Sequence, residues 1–118
     1  MLQSKIIKAY KSLIKLSQLD LPIRLAFDLF KVKMVLQPQW NFQIEEETKA
    51  ASTAKPLENG QYEFPTTEGA NAFREKMQEI GQIEVDMKFP KVRIPLSIPG
   101  LKLSVEDIEA LKDFVTFE

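Results

Sequence analysis

The sequence predicts an α+β protein, mainly helical, in which a long helical hairpin is followed by a short β segment and a C-terminal helix. Three observations carry that expectation. Apolar residues recur at spacings of three and four through residues 6–44 and again through 70–80. Turn-forming residues gather at 51–66 between those two blocks. After Gly81 the period falls to two, with Ile83, Val85, Met87 and Phe89 alternating with Gln82, Glu84, Asp86 and Lys88.

Taken in order, the first helix is expected from about Ser4, whose hydroxyl is placed to cap it. Ile6, Ile7, Tyr10, Leu13 and Ile14 fall on one face, and Lys5, Lys8, Lys11 and Lys15 sit mostly around the other. Asp20 and Pro22 then mark a stop and a restart, the aspartate as a cap and the proline as a first-turn residue. In the second helix Ala26, Phe27, Leu29, Phe30, Met34 and Leu36 form an apolar surface wide enough to be buried on two sides, and the core is the expected destination of those side chains. Pro38 removes an amide donor and crowds the preceding turn, at a cost of about 3 kcal/mol. No glycine or polar turn cluster surrounds it, so the expected element is one long helix kinked there, continuing through Trp40 and Ile44 into Glu45, Glu46 and Glu47.

Residues 51–66, ASTAKPLENGQYEFPT, interrupt the helical pattern as an exposed loop or a short hairpin at the tip, with Asn59-Gly60 as its turn signal. Thr66 or Thr67 caps the third helix, whose stripe is Ala70, Phe73, Met77 and Ile80, and Gly81 ends it. Beyond the alternating 83–89 segment, Val92, Ile94, Leu96 and Ile98 continue the period, although Pro95 restricts that segment to an edge or interrupts it. The two extended segments either pair with Pro90 near their turn or run along different neighbours. Pro99-Gly100 supplies a turn. Ser104 and Asp107 have capping-box spacing, and Leu103 and Ile108 stand where a hydrophobic staple would form. Ile108, Leu111 and Phe114 or Val115 make the expected buried side of the last helix.

At 118 residues, with 44% hydrophobic and 28% charged residues, the chain has the composition of a single globular domain spanning 1–118. It contains no cysteine and no histidine. Disulfides, thiolate nucleophiles, sulfur-ligated zinc, serine–histidine and cysteine–histidine systems and histidine-based metal sites are therefore excluded. Glu45, Glu46 and Glu47 are consecutive and cannot share one helical face. Glu84 and Asp86 share a strand face in the way solvent-facing carboxylates ordinarily do. The expectation is a non-enzymatic protein with no cofactor and no catalytic or metal-binding residues. The opening MLQSKIIKAYKSLIKL carries lysines throughout its apolar pattern, unlike a secretion signal or a membrane span. Charge is distributed unevenly, with residues 1–40 at a net +5 and residues 41–90 at a net −5.

The segments IIKAYKSLIKLSQLDLPIRLAFDLFK, EEETK, QIEVDMKF and LKLSVEDIEALKDFV together resemble a family of small phage and prophage proteins of uncharacterised function, the DUF1617-like proteins. The resemblance implies expression from a phage or prophage and a place in the host cytoplasm. It supplies no catalytic residues. The order of long helix, tip and helix also looks like the arms of prefoldin-type chaperones, an analogy of shape.

The function expected on these grounds is a phage accessory or assembly role exercised by contact with a phage or host protein, or with further copies of the chain. Trp40, Phe42, Ile44, Tyr62 and Phe64 are the candidate contact residues, because aromatic side chains anchor interfaces with large apolar area. The second reading is a nucleic-acid-associated accessory protein, in which Lys5, Lys8, Lys11 and Lys15 form a phosphate-contacting stripe.

Overall fold

The N-terminal periodicity becomes two antiparallel helices in the computed structural model, which describes residues 1–88 and 91–118. Helix α1 spans Gln3–Ser17 and α2 spans Ile23–Ala50. The start of α1 meets the middle of α2, where the Gln3 side chain donates to the Gln39 carbonyl at 2.9 Å. A few turns on, the Tyr10 hydroxyl donates to Gln37 Oε1 at 2.7 Å. Ile6, Leu13 and Leu16 of α1 close against Leu29, Val32 and Leu36 of α2 in the main core, each burial worth about 1.5–3 kcal/mol.

Neither helix starts as its sequence suggests. Ser4 lies exposed inside the first turn of α1, and Leu2 occupies the cap position without a side-chain hydrogen bond. The reason is tertiary: the Gln3 amide donates to the Ile83 carbonyl at 2.9 Å, and the Val85 amide to the Met1 carbonyl at 2.8 Å. Backbone pairing thus meets a demand that a serine cap would otherwise serve. For α2 the cap position is Pro22 rather than Asp20, again with no side-chain cap. Pro38 stands within α2, which runs through it as one helix. The contacts of Gln3 and Tyr10 fasten α1 to α2 on both sides of the proline.

The turn-rich segment is a small antiparallel hairpin, β1 (Lys55–Pro56) with β2 (Tyr62–Glu63). Asn59 and Gly60 make its turn as expected. Gly60 adopts φ +82°, and Asn59 Oδ1 accepts the Gln61 amide at 3.0 Å. Thr66 then caps α3 (Thr67–Gly81) by accepting the Gly69 amide. Helix α3 folds back onto both α1 and α2. Gly81 is its last residue but does not end it through a left-handed cap; positive φ occurs at Gly60 and Gly100 among the described glycines. A Cβ at Gly81 would come within 3.3 Å of Ser4 Cβ, so glycine serves here to let α3 approach α1.

The extended segments run along different neighbours. Residues 83–88 alternate in exposure as expected from Glu84 onward, with Val85 and Met87 half-buried, but they form no ladder beyond the Leu2–Glu84 bridge. Ile83, expected on the buried side, is exposed. Phe89 and Pro90 lie outside the described residues. Strand β3 (Val92–Ile94) pairs in parallel with β4 (Val115–Phe117), and α4 (Val105–Leu111) lies in the connection between them. Val92 and Ile94 are buried. Leu96 is exposed, although its amide still donates to the Glu118 carbonyl at 2.7 Å beyond Pro95, whose missing donor the pairing does not require. Ser104 and Asp107 form the full capping box. Helix α4 stops at Leu111, so Phe114 and Val115 reach the core from a turn and a strand rather than from a longer helix, and Ile108 is left half-exposed.

Candidate functional site

Lysines 5, 8, 11 and 15 of α1 line one wall of an open cleft of about 770 Å³ whose other wall is α4 and the residues after it. Lys15 is already engaged: its ammonium lies 2.9 Å from Asp107 Oδ2. Asp107 also accepts the Ser12 hydroxyl at 2.8 Å and the Ser104 amide at 3.0 Å. The Lys15 hydrogen bond, aided by Ser104 and Ser12 and opposed by burial, holds the Asp107 carboxyl far below its usual 3.8. Glu106, Glu109 and Asp113 stand on the facing wall. The hydrogen bond from Lys112 lowers the Glu109 carboxyl, with a smaller electrostatic contribution from Lys5 across the cleft. The expected phosphate-contacting stripe therefore faces acids of its own chain.

The expected contact residues divide between two destinations. Trp40 stacks on Tyr10, ring centroids 4.6 Å apart, and packs against the main core. Tyr62 and Phe64 close on Phe73 of α3 at 5.4 and 5.2 Å, a satellite aromatic cluster joining the hairpin to the helix behind it. These three aromatics spend much of their surface inside the chain. Phe42 and Ile44 remain at the surface of α2, at 39% and 41% exposure.

The largest departure from expectation lies at the start of α2. Leu29, Val32 and Leu36 are buried, but the rest of the wide apolar surface is not. Ile23, Phe27, Phe30 and Met34 are 86%, 51%, 52% and 56% exposed. Their steps of four, three and four align them along one stripe, the seam spacing of paired helices. Phe27 and Phe30 rings lie 6.5 Å apart, and the Lys31 ammonium sits 4.8 Å from the Phe27 ring centre. Beside the stripe a smaller cleft of about 170 Å³ opens between α1 and α2, lined by Leu13, Leu19, Leu21, Leu29, Phe30 and Lys33 among others. The seam spacing was legible in the sequence; which of two apolar stripes on one helix would face inward was not.

The chain matches no family model, no curated protein and no solved structure. Among the described residues no helix is long and apolar enough to cross a membrane, and no three carboxylates gather into a metal-binding group.

Proposed function

We propose that this chain acts without catalysis, by binding another protein through the outer face of α2, as an accessory or assembly factor of a phage or prophage in the host cytoplasm. The phage setting rests on the family resemblance. The observation that supports the binding mode is the stripe of Ile23, Phe27, Phe30 and Met34, which exposes large apolar side chains at helix-pairing spacing on the side of α2 away from Leu29, Val32 and Leu36. Isolated exposed apolar residues are ordinary; four aligned over three turns make a continuous patch. This moves the contact from the hairpin tip toward the beginning of the same long helix, because Trp40, Tyr62 and Phe64 have partners within the chain.

The nucleic-acid alternative receives less support. Polyphosphate laid along Lys5, Lys8 and Lys11 would lie opposite Glu106, Glu109 and Asp113.

Affinity capture from phage-expressing host cells tests the proposal by comparing the wild type with a Phe27→Ser/Phe30→Ser variant and a Tyr62→Ser/Phe64→Ser variant, each first shown to be folded. The expected result is a protein partner retained by the hairpin variant and lost from the α2 variant. Equal retention by both would remove the α2 face as the contact, and capture of nucleic acid alone would overturn the functional class.

A further inference from the structure

We infer that the occupant of the α2 face is an acidic amphipathic helix of another protein, carrying apolar side chains at three-and-four spacing. The inference rests on the partner-binding proposal and adds the partner's chemistry. The exposed stripe covers residues 23–34, a helical run of about 16 Å before Pro38. A helix laid along it would set its own apolar seam against Ile23, Phe27, Phe30 and Met34. The adjoining 170 Å³ cleft then provides a recess for one side chain of that helix. Cavities of about 150 Å³ admit a benzene-sized group, so a leucine or phenylalanine fits the space.

Charge selects the partner's sign. Arg24, Lys31 and Lys33 border the stripe, and Asp28 is the one acid among residues 23–37. Asp28 lies 3.8 Å from Arg24, which leaves the lysines as the cationic margin. Glutamate or aspartate at the flanking positions of an incoming helix would meet that margin, as flanking charges do in helix pairs. A second copy of this chain would instead bring the same cations against themselves.

The test uses the full chain and two helix-favouring synthetic peptides with identical leucine seams, one flanked by glutamate and the other by lysine. The glutamate peptide is expected to bind about tenfold or more tightly than its twin, to weaken as salt is raised, and to shift amide resonances at residues 23–36. A Lys31→Glu/Lys33→Glu variant should reverse the preference. Equal binding of the two peptides, or binding of neither, would overturn the inference. So would preferential binding of phosphatidylserine vesicles. A dimer seen by sedimentation and abolished by Phe27→Ser/Phe30→Ser would replace the acidic helix with a second copy. If cellular capture depends on Phe27 and Phe30 while the peptides are not discriminated, the contact face stands and the acidic partner falls.

Discussion

The Asp107 carboxylate receives the Ser12 hydroxyl, the Lys15 ammonium and the Ser104 amide, while its own amide donates to the Ser104 hydroxyl at 3.1 Å. One side chain thereby caps α4 and ties it to α1. Ser104→Ala removes a single acceptor and should cost about 1 kcal/mol. Asp107→Ala removes the cap's other half together with both links to α1, and should cost about 2–4 kcal/mol. Urea unfolding of the two variants measures both, and the aspartate substitution should be the more damaging. Because the folded-state carboxyl is held below 3.8, the unfolded chain binds its proton first as pH falls. The stability it contributes is complete above that ordinary value and declines as pH drops below it toward the folded-state ionisation. Unfolding free energy should therefore fall below pH 3.8, and Asp107→Asn should flatten that decline.

At the scale of the element, α2 holds 28 residues around an exposed proline. Proline there has no amide to donate to the Met34 carbonyl and crowds the turn before it, a cost of about 3 kcal/mol in an unconstrained helix. The helix nevertheless persists because its inner stripe is buried and because Gln3 and Tyr10 of α1 hold Gln39 and Gln37 on either side. Pro38→Ala should restore the missing hydrogen bond and raise stability by about 1–3 kcal/mol, read as a higher urea midpoint with an unchanged slope. An unchanged or lower midpoint would mean that the proline is itself needed to seat α1. The charges along α2 contribute little by comparison, since the Arg24–Asp28 and Lys49–Glu45 pairs are largely solvated.

The whole molecule measures 49 × 31 × 22 Å and distributes its packing unequally along that length. The main core draws on α1, the first half of α2, β3, α4 and β4, with Ile6, Leu36, Ile94, Leu111 and Phe114 almost wholly buried. No residue of 51–79 belongs to its buried set. That region is held by the Tyr62, Phe64 and Phe73 cluster, by the two-residue strands of the hairpin, and by α3, in which Ile80 is the buried residue. Fewer buried contacts mean a smaller free energy of local opening. Amide exchange should accordingly show residues 55–75 opening at lower free energy than the inner faces of α1 and α2. Uniform protection across both regions would contradict this division.

Much of the local structure follows from side chains acting on their immediate neighbours. The Ser104–Asp107 box, the Thr66 cap, the Asn59-Gly60 turn and the two N-terminal helices are all readable in the sequence, because hydrogen-bond reach and helical period operate over a few residues. The lack of cysteine and histidine likewise bounds the available chemistry without reference to shape. Tertiary structure decided the rest. Gln3 finds the Ile83 carbonyl, so Ser4 is not used as a cap. Gly81 admits Ser4 at close range instead of turning the chain. Val115, Thr116 and Phe117 favour extended structure locally, yet only the arrival of β3 beside them makes a parallel pair. The two stripes of α2 show the limit most plainly. Leu29, Val32 and Leu36 on one side, and Phe27, Phe30 and Met34 on the other, are equally apolar in the sequence. The number of elements available to cover them is a property of the folded whole, and here the elements packed on α2, chiefly α1 with β3, bury only the first.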